Sequence, residues 1–372
     1  MPALMLALAV VAFVIALVSF LPRQSFASFW ERWTYHRLEP ELGAVTLVQA
    51  ALLSQDNLQR GVIETFVQES VVLDTLPFMP IEGNAYAYNE EGGLPGVEFR
   101  AVNAAYTEST GTVNQKTEKL VILGGDADVD TFIVRTRGNI NDQRATQTRM
   151  KVKAATYMFQ DAFVNGDVAV DANSFDGLKK RLTGAQAIST GTNGMAVLGA
   201  DDAARHAFLD QFDAAIAAVP GAQVAYMNTA IRAKLISSLR RLRSNVESVG
   251  RLPAELIAGG VRVVEPRIPV YNGVALVDIG NTAAGTAIIP VTETQGTSTD
   301  SSSIYVVRFG EDESDGAVTG LFNGPSATDP IEVRDLGEQD FKPVFRTRIE
   351  FFCGLASFGA KGAARLLGVR NA

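Results

Sequence analysis

Apolar and polar positions divide this chain into stretches of different character. From Ala3 to Leu21 no residue is charged and nearly all are Ala, Leu, Val, Phe, Ile or Met. As a helix rising about 1.5 Å per residue, that run would roughly span a bilayer core. Trp30–Leu38 then reads as an interfacial segment, its tryptophans close to Arg32 and Arg37. Thr46 can cap a helix with Leu47, Ala50, Ala51 and Leu53 on its apolar side. A second helical pattern runs from Asn57 through Val62, Ile63, Phe66 and Val67, until Ser70 and the later prolines stop it.

Leu73–Thr136 carries the most informative pattern. An apolar, proline-punctuated approach (Leu73, Leu76, Pro77, Phe78, Pro80, Ile81) opens into a polar excursion rich in Gly, Asn, Glu, Thr and Tyr. Gly92-Gly93, Gly96 and Gly111 mark its turns. It returns through two alternating, strand-like runs, Lys119–Leu123 and Ala127–Val134. A polar hairpin of this length is marginal in isolation and cannot bury itself on its own subunit. It needs a neighbour to lie on, which predicts one tile of a larger assembly.

Beyond it, residues 141–165 predict a long helix. Ala145, Val152, Ala155, Phe159 and Ala162, with Phe163 beside the last, form one stripe on a rod of roughly 37 Å. Gly166 ends it, and Arg144, Arg149, Lys151 and Lys153 fall outside the stripe, where they read as a solvated face. After a Thr/Gly-rich link the pattern turns to α/β. A helix over Asp201–Val219 buries Phe208, Leu209, Phe212, Ile216 and Val219; Gln223–Met227 is a strand and Thr229–Arg243 a helix. Strands follow at Val261–Val264, Ile268–Tyr271, Val274–Ile279 and Ile304–Phe309, with a hairpin turn at Asn272-Gly273 and a polar loop over Thr294–Ser303. The chain closes with a strand over Arg346–Ala356 and a small-residue helix near Lys361–Leu367.

Composition narrows the function classes. With 372 residues, 47% hydrophobic and 20% charged, the chain has room for two domains and a sizeable core, and wholesale disorder is excluded. A net charge of −8 argues against gripping nucleic-acid phosphates. The one cysteine, Cys353, excludes internal disulfides and thiolate zinc clusters, and two histidines, His36 and His206, leave little for acid–base chemistry. Three readings fit the apolar start: a membrane anchor, a signal cleaved near Ser25-Phe26-Ala27, or a coding start placed too far upstream. The third is favoured, because a coherent helix pattern begins only near Glu41.

Candidate chemistry fails at each point. Asp126-Ala-Asp128-Val-Asp130 invites calcium, but Thr131 replaces the loop glycine and Arg137 the closing glutamate, so a strand face or interface is expected. In Gly354–Gly359 the serine stands one place too late for a nucleophile elbow, and Lys361-Gly362 is misplaced for a phosphate loop. His206 reads as solvated and Cys353 as a buried structural thiol. No catalytic, cofactor-binding or metal site is assigned, and no enzyme activity is expected.

The blocks "LDTLPFMPIEGNAYAYNEEGGLPGVEFRAVNAAYTESTG", "GGDADVDTFIVRT", "FDGLKKRLTG" (Phe175–Gly184), "AYMNTAIRAKL" (Ala225–Leu235) and "VRDLGEQDFKPVFRTRIEFFCGLASFGAKGAARLLGV" resemble, in order, the major capsid proteins of tailed phages of the Hong Kong 97 type. The resemblance covers about Val45 to the C-terminus. It implies an α+β capsid fold: an N-terminal arm at 45–81, an extended loop at 82–118 and a peripheral domain at 119–184 with its spine helix at 141–165. An α/β axial domain at 185–334 and a C-terminal part of the peripheral domain at 335–372 complete it, with residues 1–44 as an apolar extension. The implied function is a shell of pentamers and hexamers around double-stranded DNA, contacted weakly and without sequence specificity. The implied partners are portal, scaffolding or maturation-protease proteins. The implied place is the virion, assembled in the bacterial cytoplasm. Lys116 and Lys119 end the loop but match no crosslinking pair. An encapsulin-like compartment is the alternative within the fold, and a membrane-anchored envelope protein the alternative outside it.

Overall fold

The computed structural model describes residues 70–137, 143–242, 247–249, 268–324, 331–359 and 361–372. The apolar start, the helical patterns at Thr46 and Asn57, and the strand expected at Val261–Val264 lie outside these residues. Ser70, expected to stop the second helical pattern, caps the start of a helix. Its hydroxyl accepts the Leu73 amide at 3.2 Å and caps α1 (Val71–Thr75). Pro77 and Pro80 then hold the chain extended through β1 (Phe78–Pro80). β2 (Ala85–Gly93) and β3 (Thr112–Lys119) form the expected hairpin, from Ala85 opposite Lys119 to Gly93 opposite Thr112.

The return runs differ from the alternation read in the sequence. Leu120 separates β3 from β4 (Val121–Asp130), and its amide bonds the Asn84 carbonyl at 2.9 Å. The strand expected over Ala127–Val134 breaks at Asp130, where α2 (Thr131–Arg137) begins. The Asp130 carboxylate accepts the Phe132 amide at 2.7 Å, and the Thr131 hydroxyl donates to the Pro343 carbonyl at 2.8 Å. These side-chain bonds outweigh the β propensity of Thr131–Val134. α3 (Gln143–Asn165) is the long helix. Gly166 and Gly177 let the chain fold back on its end, since a Cβ at either would lie 2.5 Å from the Ala162 carbonyl oxygen. α4 (Leu178–Arg181) follows that contact.

The α/β part begins with β5 (Ala187–Ser189) and β6 (Met195–Ala196). α5 (Asp202–Ala217) is capped by Asp201, and β7 (Val224–Met227) leads to α6 (Thr229–Arg241), capped by Asn228. β8 (Glu247–Val249) precedes β9 (Ile268–Tyr271) and β10 (Val274–Asp278). Asn272 and Gly273 join the last two at φ 50° and 80°, the left-handed pair a tight hairpin requires. β11 (Glu293–Gln295) and β12 (Ser298–Val307) replace the polar loop expected over Thr294–Ser303. Ser301, Ser302 and Ser303 are buried there because the ladder of β12 carries them inside despite their polarity. β13 (Val318–Asn323), β14 (Ile331–Gln339), β15 (Lys342–Ser357) and β16 (Ala363–Arg370) complete the chain. The expected terminal helix at Lys361–Leu367 is therefore a strand: pairing of Ala363–Leu366 with β12 overrides the local helix propensity.

Two large sheets result. In one, β15 is shared along one edge first by β14 and then by β13, with β4 along the other edge and β1 beyond β13. The second runs β5-β16-β12-β7-β10-β9-β8. Sheet membership crosses the boundaries expected from the linear order. β13, at 318–323, joins the sheet of β4, while β16, at 363–370, joins the second sheet. Such long-range pairings leave no local mark on the sequence.

The second sheet alternates cleanly between two cores. Ala225, Met227, Val274, Leu276, Ile304 and Val306 pack on α5 and α6, where Phe208, Phe212, Ile231 and Leu235 are buried. Val224, Tyr226, Val277, Tyr305 and Val307 face the other core, shared with α3 and the first sheet. At its centre the Phe159 ring lies 6.0 Å from Phe78, 5.9 Å from Phe351 and 5.8 Å from Phe175. Phe163 meets Tyr226 edge-on at 5.9 Å, and the Tyr226 hydroxyl reaches Thr75 Oγ1 at 2.7 Å. Phe78 lies against Gly320, where a Cβ would stand 2.5 Å from its ring. Truncating Phe159 to Ala is expected to cost about 3–5 kcal/mol of stability in urea unfolding, and Gly320→Ala to destabilise as well by displacing Phe78.

Candidate intersubunit surface

The β2–β3 hairpin has an anchored base and an unburied tip. Tyr86 and Tyr88 project from one face of β2, and each meets the Phe358 ring edge-on, at 5.9 and 5.0 Å. The Tyr88 hydroxyl donates to the Ser357 carbonyl at 2.9 Å, and burial pushes its pKa up to about 12. The Tyr86 hydroxyl donates to Glu313 at 2.9 Å. On β3, Glu118 receives both forks of Arg181, and Lys116 pairs with Glu90 at 2.6 Å along the hairpin.

The tip organises itself without covering itself. The Glu98 carboxylate accepts the Thr107 amide at 2.6 Å, and Ser109 donates to the Gly96 carbonyl at 2.9 Å. Arg100 stacks over Tyr106 at 5.1 Å and donates to the Ala104 carbonyl at 3.2 Å. These polar groups bond within the tip, while Leu94, Val97, Phe99 and Val102 stay open to solvent, Val97 at 96% exposure. Four large apolar residues on one projection make a patch of the kind that marks an interaction site. A second exposed group lies at the far end of the β14–β15 hairpin: Phe341 is 99% exposed, and Phe132 and Ile133 of α2 are exposed beside the same strand ends.

The acidic run singled out in the sequence lies on a strand face, as expected. Asp126 and Asp128 stand directly opposite Arg348 and Arg346 on β15, each in a two-pronged pair with bonds of 2.7–3.1 Å. Hydrogen bonding from these guanidinium groups holds both carboxyls below the usual range. Among the described residues no cluster of His, Cys, Asp or Glu could hold a metal ion. Cys353 is fully buried in β15 and burial pushes its thiol far up, so it is a packing residue. His206 is exposed on α5. Arg144 is not merely solvated: it bridges α3 to Asp335 at 2.6 Å and lies over the Phe345 ring. No helix among the described residues is long and apolar enough to cross a membrane. Sequence reasoning missed the Glu118–Arg181 pair, whose partners are 63 residues apart with nothing local to join them.

Residues 54–207 match the family model described as major capsid protein GP7. Solved shell subunits share the fold over most of their length. The holo-SrpI encapsulin complex from Synechococcus elongatus PCC 7942 aligns with a TM-score of 0.57 at 16% identity, covering 81% of this chain and 87% of that one. The capsid of a native GTA particle aligns with a TM-score of 0.51 at 15% identity, over 81% and 90% of the two chains. This is the capsid-subunit fold. Mycobacterium phage Bobi gives a TM-score of 0.50 at 12% identity, over 80% of this chain and 90% of that one. No curated protein sequence matches the chain. Among the described residues, the hairpin and its tip carry the largest group of exposed large apolar side chains.

Both paired aspartates have depressed folded-state pKa values, so their contribution is complete above the unfolded value and is lost as pH falls through the folded one. In equilibrium unfolding, the advantage of the parent chain over an Asp126→Asn/Asp128→Asn variant is expected to stay constant above about pH 5 and to shrink below about pH 4. An advantage that grows on acidification would contradict the pairing.

Proposed function

We propose that the chain is a major capsid protein whose copies assemble into an icosahedral shell enclosing phage double-stranded DNA. The observation that carries this is the hairpin: a projection anchored at its base and bare of cover on the apolar residues of its tip, on a fold shared with shell subunits. Its tip gains burial only on another copy, so contact between neighbours is heterologous and closes into rings when the rotation fits. Pentamers and hexamers are the rings a closed icosahedral shell requires. The work is structural, and the residues that perform it are contact residues, not catalytic ones. A net negative subunit suits a container from which DNA must be loaded and released, since strong phosphate binding would hinder both. Portal, scaffolding and maturation-protease proteins are the expected accessories, with assembly in the host cytoplasm.

An encapsulin-like compartment is the second reading, favoured by the alignment to the SrpI encapsulin. Contents separate the two: nuclease-protected DNA in particles from infected cells supports the phage shell, and a packaged enzyme supports the compartment. Expressed alone, residues 45–372 are expected to yield soluble particles of capsid size by negative-stain microscopy. Monomers that need detergent and the first 44 residues would overturn the proposal. Phe99→Glu is expected to abolish particles while changing subunit stability by less than about 0.5 kcal/mol, because the side chain is exposed. Particle yield by sedimentation, beside a thermal melt of the subunit, checks this.

A further inference from the structure

We propose that Arg181 is a positioning residue that fixes the pitch of the β2–β3 hairpin to the C-terminal end of α3. The guanidinium stands where three elements meet, and its donors are shared among them. Two donate to the Glu118 carboxylate on β3, one of them at 2.7 Å. Nη2 also donates to the Leu355 carbonyl of β15 at 2.9 Å, and Nε to the Asp176 carbonyl at 2.6 Å. The pair is largely closed to water, with side-chain exposures of 14% for Arg181 and 17% for Glu118.

Arg181 itself is held from behind. Gly177 precedes α4 as its N-cap, and its amide bonds the Gly166 carbonyl just beyond α3 at 2.9 Å. The backbones touch so closely there that a Cβ on Gly177 would lie 2.8 Å from the Gly166 nitrogen. A shift of the helix end is therefore passed to α4 with little slack, and from Arg181 to Glu118 on the hairpin. The aromatic contacts of Tyr86 and Tyr88 with Phe358 hold the hairpin against the body but lack the angular demand of a two-pronged pair. A partly buried ion pair adds little net stability after desolvation, so its use here is geometric. Lysine cannot replace it, because an ammonium carries no planar fork.

The consequence for particle shape rests on the shell reading, whereas the hairpin's pitch belongs to the single subunit and is measured there. Spin labels at Ala105→Cys, in the tip, and Ala203→Cys, on α5, report the hairpin's direction; Cys353 is buried and escapes labelling. In the dilute, unassembled full chain, one narrow distance distribution is expected for the labelled parent. Arg181→Lys and Glu118→Gln are expected to broaden it, Glu118→Gln with a lowered thermal melt as well, because the Arg181 charge then loses its carboxylate. Under assembly conditions the same variants should give particles of mixed diameter. A distribution as narrow as the parent's in both variants overturns the proposal, as does a lowered melt with that distribution unchanged. Should Arg181→Lys fail to fold, Glu118→Gln decides alone. If the parent forms no particles while the variants broaden the distribution, the shell reading fails and the positioning role stands.

Discussion

The two large sheets are joined through one packing contact, the Phe159 side of α3 held between them. The helix offers Phe159 and Phe163 one turn apart, and each is claimed by a different layer. Phe159 packs on Phe78 and Phe351 of the first sheet, and Phe163 on Tyr226 of the second. Gly320 leaves the room that Phe78 needs, and Thr75 caps the arrangement by bonding the Tyr226 hydroxyl. Removing any of these large side chains opens a cavity that a rigid rod between two sheets cannot collapse to fill.

That rigidity explains why the hairpin can leave the body at all. A two-stranded ribbon gains too little from its own ladder to hold a direction in water. Here its base borrows order from the core, through Phe358, the Ser357 carbonyl and Arg181. Its tip spends its polar groups on itself and leaves its apolar ones bare. Such a division suits association, since the unassembled subunit remains folded while the gain from burial is reserved for a neighbour.

Patterns of short period were legible in the sequence. The α3 stripe, the buried face of α5, β7, and the Asn272-Gly273 turn all announce themselves within a few residues, because each is decided by local geometry. What was not legible depends on distant partners. Ala363–Leu367 is built of helix formers and becomes a strand only because β12 lies beside it. Ser301–Ser303 look like loop residues and are buried by the same pairing. Thr131–Val134 looks like a strand and is turned into a helix by the carboxylate of Asp130 and the carbonyl of Pro343. The surface was legible in outline, as a hairpin without a home, but its anchor was not: Glu118 and Arg181 are unremarkable until the fold brings them together.

Charge placement on the first sheet completes the logic of where copies can meet. β4 and β14 are its long edge strands, and open edges invite pairing with another chain. Across the face that β4 and β14 share with the central β15, Asp126 and Asp128 pair with Arg348 and Arg346 of β15, and Glu332 pairs with Arg334 along β14. An approaching strand would have to strip water from these pairs without offering a better partner, so indiscriminate edge pairing gains little. The most exposed of the large apolar side chains, Val97, Phe99 and Phe341, stand instead at the hairpin tip and at the end of the β14–β15 hairpin. Apolar attraction is thereby strongest on projections whose direction the core controls, and a heterologous contact closes into a ring only when its direction is fixed.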